Sequence, residues 1–164
     1  MGKSKLFSHG SFLFFLLLTY FLNSAFLTLQ PLPQPAPDVL LGPASEIPEL
    51  PIVKRLLSIQ QELLLERAKI DYLITRVRES KCIFIRNGES YSGGRAANHL
   101  QMKNRKRMAQ IRTVTDFIAD VGTGSTVTGN PYFIKMPNGE IYRARDIFMN
   151  ELHALDAYLT EHRP

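Results

Sequence analysis

The chain has 164 residues and a mass of 18.6 kDa, with 45% hydrophobic residues and a net charge of +5. That length fits one domain and excludes two-domain catalytic architectures and full barrels. The single cysteine, Cys82, excludes an internal disulfide framework and a cysteine-based zinc site.

Lys3 and Lys5 precede Phe12–Leu29, a run of eighteen residues without a charge. A positive stretch followed by an apolar one has the form of an export signal. Residues 1–30 are therefore expected to be either a cleaved signal peptide or an uncleaved anchor. As a helix, 12–29 would span ~27 Å, about one hydrocarbon core. The best small-x-small cleavage site, Asn23-Ser24-Ala25, places an unfavourable Asn at the outer position. Gln30 to Val53 carries three acids and no Lys or Arg, so the positive-inside rule leaves the N-terminus in the cytoplasm and sends the body across the membrane. A core helix is the poorer account of 12–29, because it would lack a polar face. Past residue 30 there are 18 basic and 15 acidic side chains, too even a balance to argue for a nucleic-acid partner.

Residues 31–51 are proline-rich and read as a semi-extended spacer. Residues 52–164 form the expected domain. Its first element is a long helix over 52–80, with Ile52, Leu56, Ile59, Leu63, Ile70, Leu73 and Val77 alternating by three and four, broken once at Glu66. The stripe either covers the domain's own sheet or joins copies of the chain as a short coiled coil, a homo-oligomer through 52–80.

Cys82–Arg86 is β-rich and ends in Asn87-Gly88, a hairpin signal, with Glu89–Tyr91 as the return strand. Ser92 is placed to cap a helix from about Gly94 to Gln110. Thr113 with Asp116 suggests a capping box for a further helix, whose apolar face is Val114, Phe117, Ile118 and Val121. A Gly/Ser/Thr loop, 122–129, leads to a second hairpin, Tyr132–Met136 and Glu140–Ala144, around Pro137-Asn138-Gly139. Asp146 is expected to cap a last helix bearing Phe148, Leu152, Leu155 and Leu159. Helix, hairpin, two helices, hairpin, helix means α+β: a small antiparallel sheet of two hairpins packed against helices.

The residues carry no catalytic constellation. Gly124 to Gly129 has phosphate-loop spacing, but Asn130-Pro131 stand where Lys and Ser/Thr are needed, and the loop follows a helix. A flexible or tightly turned connector is the better account. No histidine pair has metal spacing, and no cofactor motif is present. Cys82 and His99 could pair as nucleophile and base, although Cys82 opens an apolar strand as a buried thiol would. Arg95, His99, Lys103 and Arg107 recur every four residues, with Arg105 and Lys106 beside them. They form either a solvated helix face or a basic stripe for an anionic surface.

Phe84-Ile85-Arg86-Asn87-Gly88, then Ala96-Ala97-Asn98-His99-Leu100 with Lys103, then Phe117-Ile118 and Gly129-Asn130-Pro131-Tyr132 together resemble the YfeK-like family. Its members are small exported bacterial proteins gathered as a domain of unknown function. The resemblance covers roughly Asp71 to Leu159. It implies a bacterial source, a cell-envelope location and no assigned activity. Related chains often carry a second cysteine near the position of Met136, which would allow a disulfide to the equivalent of Cys82; this chain lacks it, leaving Cys82 a free thiol. They also tend to start the last helix with a tryptophan, whose space Phe148 is expected to fill. If the family shares a binding surface, Arg86, Asn87, His99 and Lys103 are its candidates, and Arg107 joins them from the basic helix; the alternative is that Asn87 only makes the turn and Arg86 and His99 bond within the fold.

The expected function is a non-enzymatic envelope module that binds a partner protein or polymer. The alternatives are an envelope hydrolase with His99 as general base beside Asp116 or Asp120, and an anionic-surface binder through the helix face of 95–107.

Overall fold

The computed structural model describes residues 34–163. The expected signal or anchor over 1–30, with Lys3, Lys5, His9 and the run 12–29, lies outside the described residues, as does the start of the spacer. Among the described residues no helix is long and apolar enough to cross a membrane.

A 3-10 turn, Ala44–Glu49, leads into α1 (Pro51–Ser58) and α2 (Glu62–Glu79). The first hairpin is β1 (Ile83–Arg86) and β2 (Glu89–Ser92), followed by α3 (Gly93–Arg107). Helix α4 (Val114–Phe117) continues as a π turn over Ile118–Gly122. The second hairpin, β3 (Phe133–Lys135) and β4 (Ile141–Arg143), runs into α5 (Ala144–His162). The sheet order is β2-β1-β3-β4, antiparallel throughout, so β1 and β3 join the two hairpins. This is the α+β fold with two hairpins against helices that the element order predicts.

One face of the sheet is closed by the helices. Phe84, Ile134 and Tyr142 stand opposite one another across β1, β3 and β4, and all three are buried. On the other face Ile83, Lys135 and Ile141 form the exposed rung. Side chains alternate along a strand, so the row after Phe84, Ile134 and Tyr142 brings Arg86, Tyr132 and Ala144 to the helix-covered face.

Four local expectations need correction. The helix over 52–80 is two helices: Ile59 and Gln61 take extended backbone angles, and the Arg163 guanidinium donates to the Ile59 carbonyl. The break lets α1 fold back and bury Val53 and Leu56 against α2 and α5, where a straight helix would have carried them past the core. Most of the supposed coiled-coil stripe is thereby used inside the domain, although Leu63 and Leu64 stay exposed. The described part of the proline-rich segment also does not stand free, because Leu40, Leu41 and Ile47 are buried in the core. Asp146 lies in the first turn of α5 without capping it; Arg143 holds the cap position and makes no side-chain cap bond. Ser92 does precede α3, but its hydroxyl makes no cap bond either.

Other signals hold. Asn87 (φ 51°) and Gly88 (φ 82°) both take the left-handed region required by the two-residue hairpin turn. Thr113 and Asp116 form a reciprocal capping box, each side chain bonding the other's backbone N–H at 3.0 Å. Gly93 has a packing reason: a Cβ there would fall 2.3 Å from the Val77 carbonyl oxygen, so only glycine lets α3 begin against the end of α2.

The proline-rich segment, α2 and α5 are tied together by one buried carboxylate. Glu151, on α5, has no exposed surface. Its Oε1 accepts from the Tyr72 hydroxyl and from Arg76 Nε, each at 2.6 Å, and its Oε2 accepts from the Leu41 amide at 2.9 Å. Arg76 also donates to Glu46 at 3.0 Å and to the Pro43 carbonyl at 3.4 Å. Burial opposes the Arg76 charge, but Glu151, Tyr72 and Glu46 together outweigh it and raise the pKa. Burial, with the Glu151 charge, likewise holds the Tyr72 phenol well above its ordinary value. A second carboxylate, Glu66, explains the break in the apolar stripe: it is buried, accepts from the Val114 amide at 2.7 Å, and so satisfies a free donor at the start of α4.

Removing one member of a buried ion pair strands the other, so Glu151→Ala should cost ~3–5 kcal/mol of unfolding free energy in urea titrations. Glu46→Ala, at a side chain 56% exposed, should cost less than ~1 kcal/mol. Cys82 Sγ lies 3.8 Å from Met136 Sδ, across adjacent strand ends. Met136→Cys should therefore close an intramolecular disulfide under air oxidation, read as a mass lower by two hydrogens on non-reducing mass spectrometry.

Candidate functional site

A cavity of about 210 Å³ opens between α3, the sheet and the start of α5. Phe84, Leu100, Ala144 and Phe148 supply apolar wall, Tyr91 and Tyr132 aromatic rings with hydroxyls, and Arg86, Arg95 and His99 the basic groups. Among the described residues no acidic side chain lines it. Phe148 occupies its start-of-helix position as expected, pressed against Gly122 so closely that a Cβ on that glycine would lie 2.9 Å from the ring.

The sheet and α3 each contribute one half of the polar end. Arg86 is the last residue of β1 and stands on the covered face two residues after Phe84. Its Nη1 lies 3.0 Å from both ring nitrogens of His99, one of which accepts. His99 Nε2 is 3.3 Å from the Tyr132 hydroxyl. The Arg86 guanidinium also packs over the Tyr91 ring at 5.4 Å, and Arg95 lies 5.3 Å from the same ring. Among the described residues Arg86 forms no ion pair, and its buried Nε has no hydrogen-bond partner.

The basic groups repel one another. Burial first, then Arg86 and Lys103, lower the His99 pKa below its ordinary 6.5, which favours the neutral ring that accepts from Arg86. Lys103 is pushed down to about 8, by burial first and then by Arg107 and Arg86, with Asp120 acting weakly in the other direction. Burial raises the Tyr132 phenol, against the pull of Arg86.

The five candidate residues divide by role. Arg86 and His99 meet in the cavity. Lys103 is buried beside them, its ammonium 5.1 Å from the Tyr132 ring, but its donors go to the carbonyls of Val121 at 3.0 Å and Gly124 at 2.8 Å. It is a brace for the 122–129 loop. Asn87 also serves that loop, accepting from Thr128 at 2.9 Å and Asn130 at 3.2 Å, besides making its turn. Arg107 donates to the Asp120 carbonyl at 3.3 Å. Arg95, His99, Lys103 and Arg107 therefore form neither one solvated face nor one outward basic stripe, because His99 and Lys103 turn inward. The loop is a tight connector, with Ser125 N–H bonded to the Asn130 carbonyl and Tyr132 N–H to that of Thr123. Cys82 is buried with its Sγ 3.9 Å from the Leu41 carbonyl and 3.8 Å from Met136 Sδ, and burial raises its thiol pKa, the opposite of what an activated nucleophile needs. Among the described residues no three His, Cys, Asp or Glu side chains are grouped to hold a metal ion.

Tyr91, Tyr132 and Phe148 belong to the cavity without having been singled out as site residues by the sequence. The signal for Tyr132 was present: Tyr132, Ile134 and Met136 alternate along the strand as Cys82, Phe84 and Arg86 do.

Residues 65–156 match the model of a family described as "Family of unknown function (DUF5329)". All the cavity residues fall within that span. Over 68 residues the chain is 32% identical to the uncharacterized protein YfeK of Salmonella typhimurium, a match covering 41% of this chain and 57% of that protein. The chain thus spans a little over half the length of this curated relative. No solved structure matches it.

Between pH 8 and 10.5 the unfolded chain holds the Lys103 proton and the folded chain has released it, so this group makes stability rise with pH across that window. Urea titrations at the two ends should show a rise in the wild type that Lys103→Met largely removes. An equal rise in both would refute the assignment.

Proposed function

We propose that this chain, which belongs to the DUF5329 family of unknown function, is a non-enzymatic binding module of the bacterial cell envelope and that the cavity beneath α3 is its binding site. The observation carrying this reading is the cavity itself, where β1, α3 and the residue before β3 bring a guanidinium, an imidazole and a phenol to one end of an apolar pocket that, among the described residues, has no carboxylate in its lining. The envelope address rests on the sequence layout of Lys3, Lys5 and the run 12–29. At about 210 Å³ the cavity takes a small molecule, or the end or side group of an envelope protein or polymer; it does not take a folded surface.

A hydrolase using His99 as general base is less well supported. Its hydrogen-bond neighbours are Arg86 and Tyr132, and among the described residues no carboxylate, neither Asp116 nor Asp120, bonds the imidazole. Binding through the outward face of 95–107 loses its basis when His99 and Lys103 turn inward.

Fractionation of cells expressing the full chain, followed by native mass spectrometry of the purified protein, tests the proposal. The wild type should be recovered in the envelope fraction carrying a bound species, and Arg86→Ala and His99→Ala should lose that species while keeping the circular dichroism of the fold. Recovery in the cytoplasmic fraction would overturn the envelope address, and unchanged retention in both variants would overturn the site.

A further inference from the structure

The domain buries one arginine, Arg76, and half-buries another, Arg86, and treats them in opposite ways. Arg76 is closed: Glu151 takes its Nε, Glu46 its Nη1, and the Pro43 carbonyl its Nη2. Arg86 is open, with a single nitrogen engaged by His99 and a buried Nε that bonds nothing among the described residues. A half-buried guanidinium with an unpartnered Nε and no counter-charge has lost part of its hydration without replacement, and an arriving anion makes up the loss. Nothing lining the cavity supplies one.

We infer that the cavity binds a small amphipathic carboxylate, a single aromatic ring or a branched hydrocarbon group of similar bulk carrying one carboxylate, with the carboxylate at Arg86 and the hydrocarbon against Phe84, Leu100 and Phe148. This rests on the cavity being the binding site. Size sets the body of the ligand: a dry apolar cavity of roughly 150 Å³ holds a benzene ring, and this one, at about 210 Å³, has room for a ring and a charged head. Charge sets the head. Lys103 has already committed two donors to the Val121 and Gly124 carbonyls. His99 is held toward its neutral form by burial and then by its cationic neighbours. The charge facing a ligand is therefore Arg86, with Arg95 at the mouth, which suits one negative charge. The Tyr132 hydroxyl offers a further hydrogen bond, and the planar fork of arginine matches a carboxylate.

Benzoate, benzamide, acetate and phenyl phosphate, titrated into the full chain in detergent micelles by calorimetry, separate the contributions. Benzoate should bind roughly tenfold more tightly than benzamide, which lacks the charge, and than acetate, which lacks the ring. Arg86→Gln should abolish the preference for benzoate over benzamide, and Arg95→Gln, at an exposed position that leaves the core untouched, should weaken benzoate several-fold. Ala96→Leu, which fills the cavity from α3, should block both. Equal affinity for benzoate and benzamide would overturn the inference while leaving a binding cavity in place, and tighter binding of phenyl phosphate than benzoate would overturn the choice of carboxylate. A chain that ignores all four probes yet retains its native bound species in the envelope fraction would also overturn the inference, without touching the proposed site.

Discussion

Everything in the described fold passes through the Glu151 carboxylate. It is the point where α5, α2 and the proline-rich segment meet, and each contributes a donor: Arg76 and Tyr72 from α2, and the Leu41 amide. A fully buried negative charge requires such saturation. Leu41 lies 110 residues from Glu151 along the chain, and the neighbouring Asn150 side-chain amide reaches the Ala36 carbonyl across 114, so α5 and the proline-rich segment are closed on each other here. The helices must therefore settle at the separation these bonds dictate. The apolar packing of Leu40, Leu41 and Ile47 then encloses the charge, and α1 folds back over the same region.

Fixing α5 and α2 in this way also fixes the roof and floor of the cavity. The start of α5 carries Ala144 and Phe148 into its wall, while α2 receives the N-terminus of α3 against Val77, where Gly93 permits close contact. Helix α3 then lowers His99 onto Arg86. Lys103 holds the π turn and loop that bring Gly122 and Tyr132 to the other side. The satisfied ionic centre sets the frame, and the unsatisfied one sits within it.

Much of this was legible in residues whose signals are local. Asn87-Gly88 specifies its turn through positive φ, Thr113 and Asp116 specify their capping box, and the spacing of Phe148, Leu152, Leu155 and Leu159 gives the buried face of α5. What escaped was set by distant partners. No glycine or proline marks the break at Ile59–Gln61; it follows from the gain in burying Val53 and Leu56. Proline content reads as a spacer until Leu40 and Leu41 find a core, and Glu66 looks like a defect in a stripe until it meets the Val114 amide. At the site, Arg86 and His99 were legible as residues worth naming. That Asn87 and Lys103 serve the loop, that Arg107 bonds the π turn, and that Tyr132 completes the pocket depends on contacts 13 to 43 residues apart.

The pleat of β1 acts as a ruler. Phe84 in the core and Arg86 in the cavity are two residues apart, and the Asn87-Gly88 turn, anchored through Thr128 and Asn130, begins at once afterwards. With the start of β1 held in register, inserting a single residue before Ile85 would turn Arg86 away from the cavity and bring Ile85 into its place, and deleting one would bring Asn87 there. Chains that vary in length within this hairpin would keep their hydrophobic content and lose the charge in the pocket, whereas length changes at the Pro137–Gly139 turn, at the far end of the second hairpin, would leave the pocket intact.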